Sequence, residues 1–147
     1  MKKKILLSIA AFLLLISFVG CNNKTVEEFE HYETSSYVVE EKYDGKCMFL
    51  TSTDDYDSKC SELTFSGIEL TEEFFKDHNA FVAYTIVNQG NIEFTVDSCS
   101  VNENDNSKLN VVGKLFSKGE IGTEAIESRS ILVVTDKNIK DVNFSCK

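Results

Sequence analysis

The side chains with chemistry to offer are four dispersed cysteines, two histidines and several acid-rich stretches. Cys47, Cys60, Cys99 and Cys146 are an even number, which in an exported chain reads as two disulfides drawn from three possible connectivities. Cys47–Cys60 with Cys99–Cys146 is the preferred pairing, because the first bridge closes a short local loop and would contribute about 3 kcal/mol. The second bridge is harder to place. Strand alternation puts Cys99 on the wet face with Glu93 and Asp97, whereas Cys146 shares parity with Val142 and Phe144. A bulge or a strand end must then bring their Cβ atoms together. Four reduced thiols are the alternative. With no C-x-x-C pair and no histidine at zinc-finger spacing, neither a metal site nor a cofactor is expected.

His78 follows Asp77, yet no G-x-S-x-G elbow supplies a nucleophile, so the pair reads as an exposed helix end and no catalytic residue is expected. Asp54, Asp55, Asp57 and Glu62 could gather around calcium, as could Asn102, Asn104 and Asn106. Both runs lack the alternate acids and sixth-position glycine of an EF-hand and read as solvated loops. Gly113-Lys114 and the stretch from Gly119 to Gly122 have no strand-to-helix context, so they make no phosphate loop.

A fifth cysteine stands apart. Lys2, Lys3 and Lys4 precede fifteen uncharged residues, Ile5 to Val19, and then Gly20 and Cys21. This is the pattern of a secretory signal, and the run is shorter than the roughly 20 apolar residues that span a bilayer. Ser17-Phe18-Val19-Gly20-Cys21 resembles the lipobox of bacterial lipoproteins, with Phe18 where that family usually has leucine. The resemblance implies cleavage before Cys21 and a diacylglycerol on its thiol. Acyl chains contribute about 0.8 kcal/mol per buried methylene, and two or more anchor stably where one does not. The expected location is the outer face of a bacterial cell membrane.

The charge balance agrees that lipid, not electrostatics, would hold the chain there. It carries 24 acidic against 15 basic side chains, and removing residues 1–20 leaves 12 basic ones. Such a chain is repelled by anionic headgroups. The same balance excludes nucleic acid as a partner, since backbone binding needs clustered Lys and Arg.

The elements that would position these residues begin after residues 21–36, an acidic stretch expected to be a lipidated tether. Residues 37–147 are expected to form one domain. Tyr37–Glu41, Cys47–Thr51 and Leu63–Phe65 are short β-prone runs, and Asp44-Gly45 is a turn signal. Thr53–Ser58 reads as a polar loop, and Thr71–Lys76 as a short helix capped by Thr71. Ala80–Val87 and Ser130–Val134 are apolar at both parities, as central strands are, whereas Ile92, Phe94 and Val96 alternate with polar residues. Leu109–Leu115 and Val142–Cys146 complete the strands. Strands this short with frequent turns predict a mainly β fold, an antiparallel β-sandwich or barrel-like domain with at most one short helix.

From about Glu69 to Lys147 the chain is similar to the small β-rich domain of clostridial and bacillar secreted proteins of the protease-complex B type. The likeness rests on the aromatic pair Phe74-Phe75, an apolar strand, the hairpin Gln89-Gly90-Asn91-Ile92-Glu93-Phe94, and the late strand running from Ile131 to Lys137. The chain departs from that family by one glycine where two are common and by lacking proline before the late strand. The resemblance implies a domain that binds and stabilises a partner protease and has no catalytic residues of its own. A membrane-anchored, non-enzymatic protein-binding module with an envelope protein as partner is therefore expected. A small-ligand or adhesion β-domain is the alternative, and a secreted hydrolase a further one.

Overall fold

Two strands whose apolar residues occupy both parities need cover on both faces, and the computed structural model, which describes residues 29–119, 122 and 124–147, provides it. These strands are β3 (His78–Val87) and β6 (Glu127–Asp136). They pair antiparallel at the centre of a four-stranded sheet, flanked by β1 (His31–Ser36) beside β6 and β2 (Cys47–Leu50) beside β3. A second sheet holds β4 (Ile92–Asn102), β5 (Asp105–Ser117) and β7 (Asp141–Cys146), with β5 in the middle. Among the described residues only the β5–β7 pairing is parallel.

Alternation sorts the core into two compartments. Phe81 and Ala83 of β3, with Ile131 and Val133 of β6, face the second sheet and pack with Phe94, Val96, Leu109 and Val111. Ala80, Val82 and Tyr84, with Leu132 and Val134, face the other way, under Cys60, Leu63, Phe65 and Phe75. Those covering residues come from α1 (Thr53–Cys60), α2 (Glu72–Asp77) and the segment between them. Each fully buried Leu, Ile or Val contributes about 1.5–3 kcal/mol, so the central strands are held from both sides. The mainly β sandwich expected from sequence is what forms, and only α1 exceeds six residues among the described helices.

Local elements differ from expectation in instructive ways. Thr53–Ser58 is not a loop but most of α1. Ser52 caps it by accepting from the Asp55 N–H at 3.1 Å, and Tyr56 and Cys60, one turn apart, turn toward the core. The Thr71 cap does form, with its hydroxyl accepting from the Phe74 N–H at 3.3 Å. The expected tether, residues 21–36, contains a strand: β1 pairs from His31↔Val133 to Ser36↔Ser128, and Phe29 is buried between the sheets. Tyr37–Glu41 is not a strand; Tyr37 and Val38 are exposed, and a 3-10 turn occupies Glu41–Tyr43. Leu63 and Phe65 are buried without belonging to a strand. The expected signal peptide, Cys21 and residues 22–28 lie outside the described residues.

One bulge has larger consequences. Val96 pairs with Gly113 and Ser98 with Val112, leaving Asp97 as an extra residue. That shift inverts the faces beyond it, so Cys99 is buried between the sheets and not on the wet face with Glu93.

Candidate functional site

The short strand β2 leaves one flank of the sandwich open. It pairs only with Ala80–Ala83, so Tyr84–Val87 of β3 has no strand along its outer side among the described residues. The connection before β2 takes over part of that edge. The Tyr84 N–H donates to the Lys46 carbonyl at 3.1 Å, and the Ile86 N–H to the Asp44 carboxylate at 2.8 Å. Opposite this flank lies β7, whose second edge also has no strand beside it among the described residues.

A cleft of about 230 Å³ opens between the two edges, floored by Ala83, Tyr84, Phe94 and Phe144, with Cys47 and Cys146 in its wall. Leu115 also lines a shallower depression of about 470 Å³ bordered by Ile86, Val87, Ile92 and Ile126. Sharing Leu115 and following consecutive residues of β3, the two make a mostly apolar trough, with Asp44 and Asn88 adding polar groups at the shallow end. Its rim carries large exposed side chains: Leu115 is 37 % exposed and Ile126 66 %. Phe116, the next residue of β5, is 36 % exposed on the strand's other face.

Gly113 sets the shape of the deep end. A Cβ there would lie 2.7 Å from the Phe94 ring and 2.9 Å from the Phe144 ring, so only glycine lets both rings lie over β5. The rings meet edge to face at 6.4 Å, and Phe144 also lies 5.5 Å from Phe81. Gly113-Lys114 thus serves packing in mid-strand.

All four described cysteines are unbonded, which corrects the expected pairs Cys47–Cys60 and Cys99–Cys146. Parity explains the first. Cys60 belongs to the core under the helices, whereas Cys47 shares parity with Phe49 and faces the space between the sheets. The second fails because β5 lies between β4 and β7. Two strand spacings are roughly 10 Å, beyond the roughly 4.4–6.8 Å that a disulfide requires between Cα atoms. Burial pushes the Cys60 thiol up to about 11 and Cys99 up to about 12, so both are packing groups and not nucleophiles.

Comparison with protein-family models, with curated proteins and with solved structures gives no match. The remaining candidates are therefore placed by their own surroundings. Asp55 accepts from the Thr51 N–H at 2.8 Å and the Thr51 hydroxyl at 2.7 Å and pairs with Lys59 at 2.6 Å. These contacts, the lysine foremost, hold its carboxyl down to about 2. Asp54 and Asp57 are exposed on the same helix, while Glu62 is engaged elsewhere by Lys42 and the Tyr43 hydroxyl, which hold it down to about 2. The Asn102 side chain donates to the Asn110 side chain at 3.3 Å and accepts from the Asn104 N–H at 2.9 Å, and Asn104 and Asn106 are exposed. No group of three or more His, Cys, Asp or Glu gathers as a metal site among the described residues. His78 caps α2 and stacks near Phe74 at 5.5 Å, with no hydrogen bond joining it to Asp77 or to a serine among the described residues. His31 lies 3.8 Å from Glu33 on β1. No described helix is long and apolar enough to cross a membrane.

One residue near the trough escaped the sequence reading. Arg129, the single arginine of the chain, is 3 % exposed and pairs with Glu127 at 2.7 Å. Its Nε donates to the Ile92 carbonyl at 2.7 Å and its Nη2 to the Gly90 carbonyl at 3.0 Å. It thereby fixes the hairpin that carries the chain from one sheet to the other, directly behind Ile92. Its signal was a pair of opposite charges, Glu127 and Arg129, at the same parity as Ile131 and Val133 in a strand apolar on both faces.

Proposed function

We propose that this chain is a non-enzymatic binding module, held at the outer face of a bacterial membrane by lipid on Cys21, whose apolar trough receives an extended segment of an envelope protein. The observation that carries the proposal is the trough with Leu115 and Ile126 exposed at its edge. Contiguous exposed apolar surface marks interaction sites, and β7, whose second edge has no strand beside it among the described residues, offers an extended peptide the backbone pairing used in a recurrent mode of recognition. The depression follows Tyr84–Val87, about 13 Å of extended chain at 3.3 Å per residue. Its deep end, about 230 Å³, falls below the roughly 300–1,000 Å³ of small-molecule sites and suits one side chain of a partner. An excess of acidic groups favours a partner surface that is neutral or basic. Resemblance to the β-rich domain of the protease-complex B type points to a secreted or envelope protease as that partner. Hydrolysis draws no comparable support: the displaced carboxylates Asp55, Glu62 and Asp105 are all lowered, the wrong direction for a general acid at neutral pH.

The test places a photo-crosslinking residue at Leu115 or Ile126 of the full chain in native membranes, with Glu103 in the β4–β5 turn as control. A discrete protein adduct from Leu115 and Ile126 but not from Glu103 is expected, and Leu115→Asp should lower the Ile126 adduct about tenfold, as loss of a central apolar contact does. No discrete adduct, or equal yield from Glu103, refutes the docking proposal. The anchor is tested separately by Cys21→Ser, which should release the chain from membrane fractions; full retention refutes it.

A further inference from the structure

We propose that Cys47 and Cys146 form an inter-sheet disulfide that clasps the edge strands β2 and β7 across the mouth of the cleft. The inference goes beyond the binding proposal and does not depend on it. Four observations converge on this pair. Both thiols line the same cleft. Both are exposed, so an oxidant reaches them. Cys47 shares parity with Phe49, and Cys146 with Val142 and Phe144, residues that pack on the core between the sheets, so the two cysteines face the same space from opposite sides. Finally, Cα atoms of β2 and β7 approach to within 8 Å of each other.

The other connectivities are closed by the architecture. Cys60 lies in the core beneath the helices and Cys99 in the core between the sheets, with the four-stranded sheet separating them. Neither has a partner within its own compartment except across an intervening strand. Of the three possible pairings, the one containing Cys47–Cys146 is therefore half realised: one bridge, and two buried thiols. The two thiols stand unbonded, and the bridge is open in the structure. Closing it draws the Cα atoms into the range of about 4.4–6.8 Å, and β7 is the strand free to move, since it is bonded along one edge only by parallel pairing, the weaker kind per residue.

The chemistry is thiol–disulfide exchange with a small-molecule disulfide, RSSR, as oxidant. Burial, with Cys146 beside it, pushes the Cys47 thiol up, which leaves Cys146 to open the exchange. Its thiolate attacks one sulfur of RSSR, the S–S bond breaks and RS⁻ leaves. The Cys47 thiolate then attacks the Cys146 sulfur of the mixed disulfide and expels the second RS⁻. The two protons lost by the cysteines end on two RSH; the protein is oxidised and RSSR reduced.

The full chain, purified from membranes in detergent, is incubated with oxidised glutathione, acid-quenched, alkylated and peptide-mapped without reduction. The expected product is one linked peptide containing Cys47 and Cys146, with Cys60 and Cys99 alkylated only after denaturation. The oxidised form should melt roughly 10 °C higher, a shift abolished by reductant, because the closed loop is long. In Cys47→Ser, Cys146 should remain as a stable glutathione adduct; Cys146→Ser gives the mirror result at Cys47 if the first variant does not fold. Any other linkage, separate adducts on both cysteines of the parent, unreacted thiols, or an unchanged melting temperature overturns the proposal.

Discussion

Replacing Arg129 by methionine tests the account of how the open flank is held. Arg129 is almost completely enclosed, and its guanidinium meets the Glu127 carboxylate at 2.7 Å and the carbonyls of Ser128, Gly90 and Ile92 at 2.7–3.0 Å. Methionine fills much of the volume but leaves Glu127, itself buried, without its counter-charge. Breaking a buried pair from one side costs about 3–5 kcal/mol. The Gly90 and Ile92 carbonyls are only half-buried, so water replaces their lost donor and adds little. The expected loss is therefore about 3–5 kcal/mol, a third or more of the stability of an ordinary domain. Pairing Arg129→Met with Glu127→Leu should return most of that loss, to within about 1 kcal/mol of the parent, because no uncompensated charge remains. Urea titration of the full chain at neutral pH gives both numbers, followed by circular dichroism or tyrosine emission, since the chain has five tyrosines and no tryptophan. A single-variant loss below about 1 kcal/mol, or a double variant no better than the single, refutes the reasoning.

Two further predictions concern the edges of the two cores. Asp55→Asn should cost about 1 kcal/mol at neutral pH by weakening the start of α1. The native carboxyl lies near 2, below its ordinary value of 3.8, so its contribution is complete above about pH 4 and fades as pH falls toward 2. Parent and variant stability curves should converge across that window in acid titrations, and a constant gap refutes the assignment. Gly113→Ala should cost about 1–3 kcal/mol in thermal or urea denaturation, because its methyl meets the Phe94 and Phe144 rings below 3 Å. It should also lower crosslinking from Leu115 beyond what lost stability explains; unchanged stability refutes the close-packed description of the cleft floor.

What the sequence made legible was what each segment determines for itself. The strands β3 and β6 announce themselves because cover on both faces demands apolar residues at both parities, and β4 because one face stays wet before its bulge. α2 was legible from its Thr71 cap. α1 carries an equivalent start signal, Ser52-x-x-Asp55, but shows only Tyr56 and Cys60 to the core, so its acids suggested a loop. β1 is hidden for a different reason: an edge strand with polar residues is specified by its neighbour, here the backbone of Ser128–Val133 and the contact of the Thr34 and Ser130 hydroxyls at 2.6 Å. The bulge at Asp97 is a one-residue event without a glycine to mark it, yet it reverses the face of Cys99 and with it the expected disulfide.

The trough lies one level further from the sequence, because no residue in it is unusual alone. Its existence follows from a mismatch of lengths: β2 offers four residues to a ten-residue β3, while β5, thirteen residues long, extends over the uncovered end and presents Leu115 there. Lengthening β2 toward its start would close the flank by pairing Tyr84–Val87 and would leave Cys47 in place opposite Ala83. The open flank begins at the Asp44-Gly45 turn, where Gly45 takes a positive φ of 68°. That conformation favours glycine by about 1 kcal/mol or more over a residue with a Cβ, so the turn that opens the site is fixed by the backbone and not by the partner that would fill it.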